Sequence, residues 1–513
     1  MSGASQLFLG IISGKRRRSH PDVADRAKRI AGGLNRLGVR RGDRVCMLMR
    51  NDIAFIEVAH AAIQLGAYAV PINWHFKPEE IKYILKDCAA SVLIGHGDLL
   101  HQLDDAIPNS VYVLSVAPPH EVIVAYQVDP EQLEKPDFAT DFEEWLAEQP
   151  RYREVAIQGP MSMIYTSGTT GHPKGVRRAA PNLEQNAALE RRRAMIYGHG
   201  VRALLPGPLY HSASNFFGIH SSRLGGVLVL MPRFESEELL RLIETEKVDT
   251  ILMVPTMFIR LMRLPETVRN RYDTSSLRHV VSAAAPCPAY VKRAMIEWWG
   301  PVIYEFYGST ESGAVTFATS QDALARPGTV GKVLPDVELR VVGAEGRVLP
   351  TGEIGEIYSR AASYPDFTYH NKLEKRGEIE LDGFITSGDV GYIDVDGYVF
   401  LCDRKQDVVI SGGVNIYPAE IEAALHRVPG VLDCAVFGIP DPEFGETLMA
   451  LVEPQPGAKL DVIDIRARLK ISLADYKVPR HIEIHTSLPR EDSGKIFKRR
   501  LRDPYWEQTG RNI

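Results

Sequence analysis

Along the first hundred residues the apolar positions switch repeatedly between two periods. Val23, Ala27, Ile30, Leu34 and Leu37 recur every three or four residues and stop before Gly38, which predicts an amphipathic helix. Apolar runs at 45–48 and 68–72 predict buried strands, with a helix at 54–65 between them. A helix at 79–85 and an extended segment at 91–94 continue the alternation. It resumes over 201–277, where strands at 228–231 and 250–253 bracket a helix at 236–245. Strands joined through helices are parallel, so the expected fold is α/β, built on doubly covered sheets.

The pattern changes twice further on. From Arg326 to Arg360 short apolar runs alternate with Gly and Pro turns, which predicts a small β subdomain. Past Cys402 come a helix at 418–428, strands at 434–437 and 448–452, and a helix at 462–473, enough for a small α+β domain. A chain of 513 residues exceeds what one core organises. The expected division is a large N-terminal domain over 1–402, a hinge at 403–406 and a C-terminal domain over 407–513.

Composition narrows the partners. A net charge of −5 supplies no field for nucleic acid or an anionic membrane. Lys15-Arg-Arg-Arg18 reads as a solvated turn. Cys46, Cys88, Cys287, Cys402 and Cys434 are scattered, without C-x-x-C spacing, so neither a disulfide framework nor a zinc site is expected. No apolar run approaches the ~20 residues of a spanning helix. The apolar stretch at 7–12 is too short for a signal peptide, and Arg-Asn-Ile at the C-terminus is no peroxisomal address. The expectation is a cytoplasmic protein without nucleic-acid partner or integral membrane segment, with a homodimer as the assembly to consider.

Candidate chemistry begins at Tyr165-Thr-Ser-Gly-Thr-Thr-Gly-His-Pro-Lys-Gly175, which packs three glycines, four serine or threonine hydroxyls and one lysine into eleven residues. Glycines let backbone amides approach a phosphate, hydroxyls add donors, and Lys174 adds a point charge. Pro173 before the lysine and Gly175 after it rule out the Walker A pattern. Further blocks follow in order: Pro208-Leu-Tyr-His-Ser212, Ser282-Ala-Ala-Ala-Pro286 and Tyr304-Glu-Phe-Tyr-Gly-Ser-Thr-Glu311. After them stand Thr386-Ser-Gly-Asp389, Asp403-Arg-Lys405, Ser411-Gly-Gly413, and Pro489-Arg-Glu-Asp-Ser-Gly-Lys495. Taken singly, each reads equally well as a turn, a surface ion pair or a solvated tail.

Together, from about residue 32 to 500, they resemble the adenylate-forming (ANL) superfamily of acyl-CoA synthetases, peptide-synthetase adenylation domains and beetle luciferases. The resemblance implies ATP, Mg²⁺ and coenzyme A as co-substrates and cofactors, and a small-molecule carboxylic acid as substrate. Thr166, Ser167, Gly168, Thr169, Thr170 and Lys174 would hold the leaving phosphates, with Thr166 also catalytic. Ala284, Ala285 and Pro286 would wall the adenine, alongside Glu305, Phe306, Tyr307 and Gly308, with Thr310 at the α-phosphate. Glu311 would help hold Mg²⁺, since a hard cation favours carboxylate ligands. Asp389, an acceptor-only carboxylate, would take both ribose hydroxyls, and Arg404, fifteen residues on, would reach the ribose or a phosphate.

His211 would gate the acyl site, and Ser411, Gly412 and Gly413 would line the pantetheine tunnel after the small domain rotates. Lys495 would be catalytic, neutralising charge between carboxylate and α-phosphate, whereas Lys498 has no Gly before it. The implied activity is that of an ATP-dependent acyl-CoA ligase acting on a hydrophobic acid, whether aryl, alicyclic or fatty. An adenylation enzyme loading an acyl or amino acid onto a carrier, or a silent nucleotide-binding scaffold, is the alternative. Two departures stand out: Gln406 replaces the usual charged hinge residue, and the β-hairpin that precedes the first helix is missing or replaced by 15–19.

Overall fold

The computed structural model describes residues 8–154, 159–166, 173–362, 364–490, 496 and 498–506. The periodic segments form the elements their spacing predicts. The first helix, His20–Arg36, opens at Ser19, whose hydroxyl accepts from the Asp22 amide, with Pro21 in the first turn. Both features satisfy or remove amides that a helix start leaves unpaired. Helix Ile53–Gln64 is buried on almost every side, since it lies between two sheets. Glu57 in its middle is tolerable there because Arg26 donates to it at 2.8 Å.

One parallel sheet orders its strands Tyr68–Pro71, Arg44–Leu48, Val92–His96, Tyr112–Val116 and Thr140–Asp141. A larger sheet starts parallel and becomes antiparallel. Its parallel part runs Gly10–Ser13, Val227–Leu230, Arg202–Leu205, Thr250–Met253, His279–Ser282, Ile303–Ser309. The chain steps outward from Arg202–Leu205 to Val227–Leu230 and then back across to Thr250–Met253. Loops diverge at the carboxyl ends of such strands, where a crevice opens for ligands.

The short strands expected between Arg326 and Arg360 are present: Thr329–Val333, Val337–Val342 and Gly355–Ala361 continue the large sheet as its antiparallel part through Gly313–Ala318 and Tyr398–Arg404. The expectation that the N-terminal hairpin is missing or replaced is corrected. Gly10–Ser13 pairs antiparallel with Arg16–Ser19 and parallel with Val227–Leu230. Its arginines are not simply solvated: Arg16 pairs with Asp52 at 2.6 Å, Arg17 with Glu246 at 2.9 Å, and Arg18 lies 3.8 Å from Glu57. An edge strand tolerates such polar residues, which is why its composition concealed it.

The large sheet ends at Arg404, and the next strand, Val409–Ser411, belongs to a separate five-stranded sheet. Helices Pro418–Leu425 and Val462–Ser472 cover that sheet around a core of Ile421, Leu425, Val436 and Leu469. Across to the large domain, Arg263 donates to the Leu432 carbonyl at 2.6 Å.

Candidate active site

A cleft of about 590 Å³ opens at the carboxyl ends of the large sheet's parallel strands. The hairpin Ile164–Thr166 and Lys174–Arg178 enters it with Thr166 and Lys174 in register. Both line the cleft, while Ser167, Gly168, Thr169 and Thr170 lie outside the described residues. The Lys174 ammonium stands 5.2 Å from the centre of the Tyr369 ring. Burial, then the nearby Lys375, pushes its pKa below the ordinary lysine value, as suits a cation waiting for an anion.

Strand Ile303–Ser309 turns Phe306 and Gly308 into the cleft, followed by Thr310 and Glu311. The two-residue strand period sends Glu305 to the opposite face. There its buried carboxylate takes the Lys292 ammonium at 2.6 Å, so the expected role of Glu305 beside adenine is corrected: it is structural. Tyr307 is absent from the cleft lining, and its hydroxyl donates to Asp389 at 2.8 Å. Burial, then the Asp389 charge, raises that phenol well above the ordinary range and keeps it a donor. The Glu311 carboxylate lines the cleft with Oε1 accepting from the Tyr369 hydroxyl at 2.9 Å. Its second oxygen is suited to a divalent cation, so the donor set fits Mg²⁺.

Asp389 and Arg404 face each other in the ladder between Phe384–Ile393 and Tyr398–Arg404, 3.3 Å apart from Nε to Oδ1. Ser387 also donates to Asp389 at 2.7 Å. Four lone-pair directions on a carboxylate leave room for further acceptance. Beside this pair, Glu356 collects Thr386 at 3.0 Å and Lys405 at 2.8 Å, and all three line the cleft with Gln406.

Of the residues expected to wall an adenine, Ala284 lines the cleft, whereas Ala285 and Pro286 do not. Ala284 adopts φ 71°, a left-handed conformation that costs a non-glycine residue about 1–2 kcal/mol. Such strain concentrates where ligands bind. His211 stands at the start of helix Ser212–Ser221, packed on Tyr210, and the cleft is lined instead by the next residue, Ser212. Ser212 accepts from Thr310 at 3.0 Å, tying the start of helix Ser212–Ser221 to the turn that follows strand Ile303–Ser309.

Not every expected group is gathered here. Ser411, Gly412 and Gly413 form the exposed tip of a hairpin and line no part of the cleft. Both glycines sit at positive φ, as such a tight turn demands. Lys495 lies outside the described residues.

Three features escaped the sequence reading. Arg178, 5% exposed, donates to the carbonyls of Thr310, Glu311 and Pro365 and so staples the turn that carries Glu311. Its signal was an arginine on the inward face of a strand. Lys498 ion-pairs with Glu422 at 2.8 Å, and Arg502, one turn later, donates to the Gln406 carbonyl at 3.2 Å. The helix Lys498–Trp506 is thereby tied to the 403–406 segment expected to be the hinge. Tyr369 supports both Lys174 and Glu311 from a short strand with no local signal.

A cleft that pairs a carboxylate–arginine couple with a threonine–glutamate turn and a lysine-bearing hairpin fits a nucleoside triphosphate. Residues 7–364 match the family model described as AMP-binding enzyme, and residues 420–495 match its C-terminal domain. The chain belongs to the AMP-binding enzyme family, within the ANL superfamily. The feruloyl-CoA synthase of an Amycolatopsis species is 33% identical over 94% of this chain and 93% of that one. The long-chain-fatty-acid–CoA ligase FadD13 of Mycobacterium tuberculosis is 33% identical over 93% and 91%. Among solved structures, the anthranilate CoA ligase AuaEII with anthranoyl-AMP superposes with a TM-score of 0.85 at 27% identity, covering 98% and 95%. The chain is accordingly an AMP-forming enzyme of the acid–thiol ligase class, with the large and small domains of that fold. Among the described residues no helix is long and apolar enough to cross a membrane.

Proposed function

We propose that the protein is an ATP-dependent acyl-CoA ligase for a hydrophobic carboxylic acid, with an aryl acid favoured. The supporting observation is a continuous cleft with polar groups for a nucleotide at one end. Ile196, Ala213 and Phe216 supply apolar wall elsewhere in the same cleft. Aromatic walls suit a flat ring, and relatives at about one-third identity are named for ferulate and for long-chain fatty acids.

In the first half-reaction a carboxylate oxygen attacks the α-phosphorus of ATP. The new O–P bond forms as the bond to the β-phosphate bridging oxygen breaks, and pyrophosphate leaves with both bonding electrons. Asp389 and Arg404 orient the ribose, Thr310 the α-phosphate, and Thr166 and Lys174 the departing phosphates. A divalent cation at Glu311 would neutralise phosphate charge. Lys495 stabilises negative charge on the equatorial oxygens. In the second half-reaction the thiol sulfur of coenzyme A attacks the acyl carbon, AMP leaves, and the thiol proton passes to solvent. The hinge at 403–406 lets the small domain bring the 411–413 loop to the cleft for this step.

The test is acid-dependent exchange of labelled pyrophosphate into ATP, followed by AMP release with coenzyme A. No exchange with any aryl, alicyclic or fatty acid would sink the ligase reading. Lys495→Ala is expected to abolish exchange yet still convert a supplied acyl-adenylate to thioester. Equal loss of both halves would refute its assigned role.

A further inference from the structure

The acyl end of the cleft has one polar corner that no step of the proposed reaction uses. Helix Leu183–Tyr197 turns Arg193, Ile196 and Tyr197 toward the cavity. Tyr197 is 8% exposed, its ring packed edge-on against Phe217 at 5.3 Å and Phe306 at 6.3 Å. Its side chain lines the cleft, and its hydroxyl makes no hydrogen bond among the described residues. A phenol hydroxyl that reaches a cavity wall without a protein partner marks a place for a ligand atom.

The charge around that hydroxyl points to what the atom is. Arg193 donates one nitrogen to Glu190 at 2.5 Å, and the other oxygen of that carboxylate lies 3.6 Å from His220 Nδ1. A guanidinium carries five N–H donors, so Arg193 keeps donors for a ligand. His220, whose ring lies 6.3 Å from Tyr197, adds no charge near neutrality, because burial, then Arg193, pulls its pKa down to about 4. Arg192, the next cation along the helix, is balanced by Asp336 at 2.7 Å and contributes no excess. The corner is therefore rich in donors, and it stands beside Ile196, Ala213 and Phe216 of the cleft wall.

We infer that Tyr197 and Arg193 form a second recognition point for the acid substrate, binding an oxygen acceptor at the end remote from the reacting carboxyl. This rests on the ligase reading and narrows its substrate to acids bearing a hydroxyl, alkoxy or second carboxylate group. Arginine offers only donors, and the phenol completes the pair as donor or acceptor. A site built to hydrogen-bond a substrate oxygen discriminates strongly against the analogue lacking it, because its own polar groups are then buried without partners.

The experiment uses one acid skeleton, 3-phenylpropenoic acid, carrying hydrogen, hydroxyl, methoxy or carboxyl at the ring position opposite the chain. The best oxygen-bearing acid is expected to exceed the unsubstituted one in kcat/KM by about 10² or more. The four arms then separate a phenolic from an anionic acceptor. Tyr197→Phe and Arg193→Gln should each cut that ratio about tenfold, through KM rather than kcat. A ratio between two acids cancels any general loss of folded enzyme. Calorimetric binding of the same acids to the AMP-loaded protein reads the preference even if no thioester forms, which separates its failure from failure of the ligase reading. Equal affinity for substituted and unsubstituted acids, or a preference that survives both substitutions, overturns the inference.

Discussion

Arg178 offers the most direct test of how the site is held. Its guanidinium donates to three backbone carbonyls and lies over the rings of Tyr364 at 4.3 Å and Phe367 at 5.3 Å. Replacing it by Met keeps the length and removes all three bonds. Hydrogen bonds from a charged group contribute about 1.5–3 kcal/mol each, so the gross loss is about 4.5–9 kcal/mol. Against this stands the relief of no longer burying a guanidinium, several kcal/mol. Burial is also the leading cause that lowers the Arg178 pKa. The net expectation is a loss of about 3 kcal/mol, roughly 150-fold in the local opening equilibrium.

The functional consequence follows from what the carbonyls belong to. Thr310 and Glu311 sit on the stapled turn, and misplacing such groups by about 1 Å can cost ~10² in rate. Urea unfolding monitored by fluorescence gives the stability, and single-turnover formation of the acyl-adenylate gives the rate. Arg178→Lys restores the charge without the planar fork, and should recover less than half of either loss. If Arg178→Met unfolds within about 0.5 kcal/mol of the parent, the size expected of a neutral surface change, and adenylates at the parent rate, the staple is refuted.

Lys498→Met should loosen the helix Lys498–Trp506 from the helix Pro418–Leu425 and, with it, from the 403–406 segment. Removing one partner of a largely buried ion pair leaves Glu422 without its counter-charge, an expected loss of about 2–4 kcal/mol confined to the C-terminal domain. Limited proteolysis near 403–406 should accelerate, Lys498→Arg should reverse it, and unchanged cleavage would contradict that tie. Stability should also fall on acidification below the ordinary histidine pKa of 6.5. Burial leads in lowering His60 to about 3 and His220 to about 4, so between 6.5 and those values the unfolded chain binds protons that the folded chain refuses. Each contributes up to about 1.4 kcal/mol per pH unit in that window. Melting temperature measured from pH 8 to 5 should drop below 6.5, His60→Gln should flatten the slope, and a flat parent profile would exclude the linkage.

How much of this was legible depended on the range over which each signal acts. The helix at 20–36 and the parallel strands were readable because burial on one face, or on both, writes a local period into the chain. The edge hairpin at 10–19 was concealed because Arg16, Arg17 and Arg18 find carboxylates on distant elements. Thr166, Lys174, Thr310, Glu311, Asp389 and Arg404 stood out as short motifs, and all but Asp389 line the cleft, which Asp389 joins through Arg404. Glu305 was misassigned because a motif does not say which side of its strand faces the ligand.

By itself, then, the sequence determined the class of fold, the order of the nucleotide-binding blocks and the family. These depend on residue type and spacing within a few positions. Only the tertiary structure decided that Arg178 carries the Glu311 turn, that Lys498 pairs with Glu422 of the helix Pro418–Leu425, and that Tyr197 packs against Phe217 and Phe306 at the cleft wall. Each of those depends on what burial brings opposite a side chain, and residues such as 178 and 311 are joined by folding alone.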